Sequence, residues 1–84
     1  MNTVILYTTQ YCGYCMAAKK LFQSLDVPFK EVDLSDDDNK REELFEKYNW
    51  RTAPAIFIGD EFIGGYDDVS MLHARGEFLP KLAE

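Results

Sequence analysis

Thr3-Val4-Ile5-Leu6-Tyr7 leads, four residues later, into Cys12-Gly13-Tyr14-Cys15, and Met16 to Leu25 follows. The first run is apolar and rich in β-branched and aromatic residues, so it reads as a buried strand. In the last segment Ala18, Leu21, Phe22 and Leu25 share one face at helical spacing, while Lys19, Lys20 and Gln23 point elsewhere. The cysteine pair therefore opens a helix at a strand-to-helix junction. No other cysteine occurs in the chain. Two thiols so spaced can cycle between dithiol and disulfide.

Further along, Asp26-Val27-Pro28 ends this helix, because proline cannot continue it. Phe29-Lys30-Glu31-Val32-Asp33 alternates as a strand does. Asp36 to Asp38 are capping residues for a second helix over Asn39 to Tyr48, with Leu44, Phe45 and Tyr48 as its apolar positions. Pro54-Ala55-Ile56-Phe57-Ile58 is strand-like, and Gly59-Asp60 turns it into Glu61-Phe62-Ile63. Gly64-Gly65 breaks that strand. Tyr66-Asp67-Asp68 opens a third helix with Val69, Met71 and Leu72 facing inward, and a short terminal helix covers Phe78 to Leu82. The order β-α-β-α-β-β-α makes this an α/β protein. The first two strands flank a helix and are expected to be parallel through a right-handed crossover, and the last two form a hairpin. The result is a four-stranded mixed sheet with helices on both faces.

A length of 84 residues points to a single domain, residues 1–84. With 46% hydrophobic residues the chain is expected to be globular. The net charge of −6 and the lack of a basic stripe argue against nucleic acid as a partner. No apolar run is long enough to span a bilayer, so no membrane role is expected. The N-terminus does not begin with a basic region and a long apolar run, so no secretory leader is expected. A reducing, cytoplasmic setting follows as an expectation, and there a C-x-x-C is more often catalytic than a staple. The acidic run Asp33, Asp36, Asp37 and Asp38 reads as a helix start complementing its own dipole.

The attacking species in thiol chemistry is the thiolate, and at an unperturbed pKa of about 8.5 only ~3% of a thiol is ionised at pH 7. Cys12 at a helix N-terminus faces unpaired amides and the positive end of the dipole, an effect of about 0.3–2 kcal/mol. The amides of Tyr14 and Cys15 are the expected direct donors. Cys15 lies further into the helix and is expected to be more buried, with a higher pKa. That asymmetry makes Cys12 the nucleophile and Cys15 the resolving thiol. Zinc would need two further ligands, and His73 is the sole strong candidate, so no metal site is expected. A structural disulfide over so short a loop would stabilise little.

The chain resembles a small dithiol glutaredoxin over essentially its full length. Three separated motifs carry the resemblance: Cys12-Gly13-Tyr14-Cys15 followed by Ala18-Lys19, then Thr52-Ala53-Pro54, then Gly64-Gly65-Tyr66-Asp67-Asp68. It departs from many dithiol members at Gly13, where they have proline, and at Thr9, where a basic residue often sits. The resemblance implies a thioredoxin-like fold and a glutathione-dependent oxidoreductase that reduces protein disulfides and glutathione mixed disulfides, with ribonucleotide reductase among the candidate substrates. It implies a cis Pro54, with the Ala53 main chain beside the cysteinyl part of glutathione. Gly65, Tyr66 and Asp67 would meet the γ-glutamyl carboxylate, and Asp67 or Asp68 its ammonium. Tyr14 would flank the sulfur, and Arg41 or Arg51, ahead of Lys19, would pair with the glycyl carboxylate. Glutathione is the implied co-substrate of what is expected to be a monomer. A thioredoxin-like reductase recharged by a flavoprotein is the nearer alternative. The more distant one is a 2Fe–2S cluster held between two protomers by Cys12 of each chain and two glutathiones, which Gly13 in place of proline keeps open.

Overall fold

The computed structural model describes residues 2–10 and 12–83; Met1, Tyr11 and Glu84 lie outside the described residues. The elements run β1 Val4–Thr8, α1 Gly13–Ser24, β2 Phe29–Asp33, α2 Asp38–Tyr48, β3 Ala55–Ile58, β4 Glu61–Gly64, α3 Tyr66–Ala74 and α4 Phe78–Ala83. The sheet order is β2-β1-β3-β4. β1 pairs with β2 in parallel, Val4 opposite Phe29 and Thr8 opposite Asp33. β1 pairs with β3 antiparallel, and β3 with β4 likewise. The mixed four-stranded thioredoxin-like sheet expected from the sequence is thus the one observed.

Strand alternation sorts side chains onto two layers. Val4, Leu6, Ile56 and Ile58 meet Ala18 and Phe22 of α1, Val69 of α3, and Phe78 and Leu82 of α4. Ala55 and Phe57, from the same β3, point the other way and meet Leu44 of α2, with Ile5, Tyr7 and Trp50 packed alongside. α1, α3 and α4 therefore cover one face and α2 the other. β3 is buried along its whole length because both layers press on it. Fully burying a Phe or Ile is worth about 1.5–3 kcal/mol, so Phe22, Ile56 and Phe78 anchor the larger layer.

Some expectations shift. α1 begins at Gly13, so the second cysteine is already helical. α2 begins one residue early, and of the three aspartates Asp37 is its cap, its carboxylate accepting the Lys40 amide at 3.0 Å. On α3, Val69 is buried and Leu72 packs on the core, but Met71 is 54% exposed rather than inward. Three residues bring Val69 and Leu72 to one side of a helix, whereas Met71 falls roughly 100° from Leu72. Tyr48 on α2 is also exposed, stacking its ring on Phe62 at the margin of the smaller layer.

Candidate active site

β1 delivers the chain through Thr9 and Gln10 to Cys12, the N-cap of α1, with φ −103° and ψ 108°. Ser, Thr, Asp or Asn usually fills a cap of this kind, turning a side-chain oxygen to the first-turn amides. Here a sulfur takes that place: Cys12 Sγ accepts the Cys15 N–H at 3.1 Å. Of the two amides expected to face the sulfur, the one bonded to it is that of Cys15. The first turn of α1 carries no acidic side chain that would oppose a negative charge on Cys12.

Cys15 is 2% exposed, and both cysteines are free thiols. Burial is the main reason its thiol is pushed up from the ordinary 9.0 to about 12, and the hydrogen bond with Cys12 adds to it. A main-chain hydrogen bond from Thr9 pulls the other way, as does the Lys19 charge. The asymmetry read from the sequence, with the second thiol deeper and harder to ionise, is present in the fold.

Facing the sulfur is the bend before β3. The Ala53–Pro54 peptide is cis. The Cys12 thiol reaches the Ala53 carbonyl at 3.5 Å. Trp50 Nε1 donates to the Pro54 carbonyl at 3.2 Å, tying the bend to the end of α2.

Two hollows meet at this bend. One, of about 350 Å³, is lined by Tyr14, Thr52, Ala53, Pro54 and the start of α3 from Gly65 to Asp68. The other, of about 590 Å³, takes in Thr9, Arg41, Arg51, Thr52 and Ala53. Thr52 and Ala53 belong to both. The two hollows between them are lined by Tyr14, Arg41, Arg51, Thr52, Ala53, Pro54, Gly65, Tyr66, Asp67 and Asp68, on either side of the bend that Cys12 touches through Ala53. Tyr14 is 63% exposed, and its ring stacks on Tyr66 at 6.3 Å between centroids. The Arg51 guanidinium lies 3.7 Å above the Phe45 ring, which holds it at the wall of the larger hollow.

α3 starts differently from α1. Its N-cap is Gly65, whose N–H donates to the Asp68 carboxylate at 2.9 Å. Gly64 has φ +128°, and a Cβ there would run into that carboxylate. Asp68 is thus occupied as a cap, while Asp67 is exposed at the hollow. Lys19, the third cation considered, lines neither hollow, and its Nζ sits 2.8 Å from Glu31 instead.

Trp50 packs against the smaller core layer and lies outside the three motifs read from the sequence. It lines both hollows, and its ring leaves just enough room for Gly65: a Cβ there would come 3.0 Å from Cζ2. A tryptophan four residues before a proline carries no local signal for that contact. Its need for a partner for the indole N–H was the available clue.

Known proteins agree with this geometry. Residues 4–63 match the glutaredoxin family pattern. Glutaredoxin 3 of Escherichia coli K12 is 42% identical over 82 residues, covering 98% of this chain and 99% of that protein. Glutaredoxin-C2 of Arabidopsis thaliana is 40% identical over 86 residues, covering 99% of this chain and 78% of its own. Among solved structures, the buckwheat glutaredoxin–glutathione complex superimposes with a TM-score of 0.92 at 36% identity, over 98% of this chain and 77% of that one. With the fold, the spaced cysteines and these likenesses in agreement, the chain belongs to the glutaredoxin family.

Proposed function

We propose that this protein is a glutathione-dependent thiol–disulfide oxidoreductase that reduces glutathione mixed disulfides and protein disulfides. The observation that carries the reading is the position of Cys12 Sγ. It accepts an amide at the mouth of α1 and lies against the carbonyl of Ala53, a residue that lines both hollows. The Cys15 amide is thus aimed at the sulfur that makes the attack.

Cys12 attacks the glutathionyl sulfur of a mixed disulfide, and the substrate leaves as a thiol. A second glutathione attacks the Cys12–glutathione disulfide and releases oxidised glutathione. Cys15 is not needed on this route. With a protein disulfide, Cys15 attacks Cys12 in the mixed disulfide and closes an internal disulfide, which two glutathiones later reduce. The Ala53 main chain suits strand-like pairing with the cysteinyl part of glutathione. The amides opening α3 at Tyr66 and Asp67 suit the γ-glutamyl carboxylate, and Asp67 its ammonium. Arg41 and Arg51 suit the glycyl carboxylate, and Tyr14 flanks the sulfur. Residues 1–84 act on this reading as one monomeric domain, in a reducing compartment such as the cytoplasm.

The 2Fe–2S alternative finds less support in the donor set. Among the described residues no group of three or more His, Cys, Asp and Glu side chains could hold a metal ion. One chain offers one accessible cysteine, since Cys15 is buried, so a second chain and two glutathiones would be required. Nothing in the fold favours that assembly over exchange.

The test is turnover of a glutathione mixed disulfide, with glutathione and glutathione reductase as the recharging system and thioredoxin reductase as the comparison. Turnover with the first and none with the second is expected. The reverse pattern removes the reading.

A further inference from the structure

The larger hollow is oversized for the part of glutathione assigned to it. Its volume of about 590 Å³ is on the scale of a pocket for a drug-sized ligand, whereas a glycyl unit is a handful of heavy atoms. Its walls also offer more than a glycine uses. Leu34, Leu44, Phe45 and Trp50 line it beside Arg41 and Arg51. Leu34 and Leu44 are each 4% exposed and belong to the smaller core layer, so an apolar floor is built into the fold. Both arginines are exposed. Among the described residues neither is in salt-bridge contact with a carboxylate, whereas Lys19, Lys40, Lys47 and Lys81 all are. Two guanidiniums beside an apolar floor suit a carboxylate that carries an apolar side chain.

With the γ-glutamyl end of the tripeptide at α3 and its other end at the arginines, the peptide runs opposite to Arg51-Thr52-Ala53-Pro54. Its cysteine pairs with Ala53, so the residue after the cysteine lies across from Thr52, which lines the larger hollow. We infer that this hollow takes a bulky apolar side chain at that position, on a residue ending in a free carboxylate. The substrate class then extends from glutathione, which ends in cysteine and glycine, to thiol peptides that end in cysteine and an apolar residue. The inference rests on the glutathione reading above and deepens it. The apolar side chain covers Leu34, Leu44 and Trp50, and the terminal carboxylate meets Arg41 and Arg51. The exchange itself is unchanged. The Cys12 thiolate attacks the peptide sulfur of the mixed disulfide, the sulfur–sulfur bond breaks, and the partner sulfur leaves as a thiolate that takes up a proton. One disulfide replaces another, so no outside oxidant or reductant enters this step.

The experiment uses the reduced wild-type protein and three tripeptides: glutathione, γ-glutamyl-cysteinyl-phenylalanine and the C-terminal amide of the latter. Each is joined as a mixed disulfide to thionitrobenzoate, whose release is followed by absorbance after rapid mixing. The phenylalanine peptide is expected to half-saturate the rate at a concentration roughly three- to tenfold below that of glutathione, from partial burial of its ring. Its amide is expected to need roughly threefold more than the acid, the scale of an exposed ion pair. Unreactive S-methyl forms of the two acids locate the ring by NMR. The Leu34 and Leu44 methyl resonances are expected to shift with the phenylalanine peptide and far less with S-methylglutathione. A phenylalanine peptide weaker than glutathione, an amide equal to its acid, or Leu34 and Leu44 methyls that do not move each overturns the inference and leaves the glutathione reading intact. If the glutathione mixed disulfide itself reacts no faster than it does with free cysteine, the glutathione reading fails and takes the inference with it.

Discussion

α1 and α3 open onto the same hollow, yet their first turns are closed in opposite ways. At α3, Asp68 reaches back from inside the helix to the Gly65 amide, and acidic side chains at Asp67 and Asp68 complement the dipole. At α1 the first turn has no acid, and its amide is capped by a cysteine sulfur at the outer edge. An oxygen cap is a permanent fixture of the fold. A sulfur cap satisfies the same amide but can also leave it to form a bond elsewhere. The difference separates a helix start that stays closed from one whose cap is free to react.

The sharpest way to break the contrast is to turn the α1 cap into an ordinary one. Cys12→Ser keeps a capping side chain, so stability is expected to stay within ~0.5 kcal/mol of wild type by urea denaturation. Exchange with a glutathione mixed disulfide is expected to fall on the order of 10³-fold or more, because the nucleophile is gone. Activity near wild type would leave Cys12 without its assigned role.

Cys15→Ser tests the inner half of the same turn. Reduction of protein disulfides is expected to drop to background, with mixed-disulfide turnover retained, measured side by side. A simultaneous loss of both would rule out the route that needs only Cys12. Cys15 also sets an alkaline limit on stability. Its folded pKa is raised, so the folded state keeps a proton that the unfolded chain releases. That contribution is complete below the ordinary thiol value of 9.0 and is lost as pH rises towards about 12. Denaturation midpoints of wild type should therefore fall more steeply on the alkaline side than those of the serine variant.

Asp68→Ala removes the α3 cap. A loss of about 0.5–2 kcal/mol is expected by urea denaturation, with a weaker apparent affinity for glutathione, since the Gly65 turn is no longer held. Unchanged stability would mean that the Gly65 amide finds another acceptor.

The smallest effect is expected at Gly13. It is the first helical residue of α1, its φ lies outside the left-handed region, and a Cβ there meets nothing within 4 Å. Cys12 is already extended, as a residue before proline should be. Gly13→Pro is expected to stabilise by about 0.4–1 kcal/mol, through a less free unfolded chain, and thermal unfolding checks it. A destabilised variant would show that the first turn needs the Gly13 amide or its freedom.

Much of the fold was legible because its signals are local. The strand Phe29–Asp33 was bounded by Pro28 and by its own alternation, and the observed β2 has the same ends. The hairpin and the helix opened by Tyr66 were marked by glycines. What stayed hidden depends on packing between distant segments. Met71 looked inward because it is apolar, but the angular position of α3 is set by Val69 against the sheet. Lys19 ranked behind Arg41 and Arg51 for the glycyl carboxylate, and its partner Glu31 arrives from a parallel strand that the local sequence does not reveal. Asp67 and Asp68 were interchangeable on paper, and the Gly64–Gly65 turn is what makes Asp68 the cap. Around the cysteines the three motifs converged because each is a short, chemically distinctive string. The contribution of Trp50 was not legible, since only the folded chain brings its indole to the Pro54 carbonyl.

The order β2-β1-β3-β4 leaves β2 and β4 as the outer rims of the sheet. β2 presents exposed Lys30, Glu31 and Asp33, and β4 is four residues long beside an irregular register at Ile56 and Phe57. Charge on one rim, and brevity with a local kink on the other, deny a second molecule the flat template it would need to extend the ladder. Crowded solutions of this protein should therefore resist strand-by-strand association.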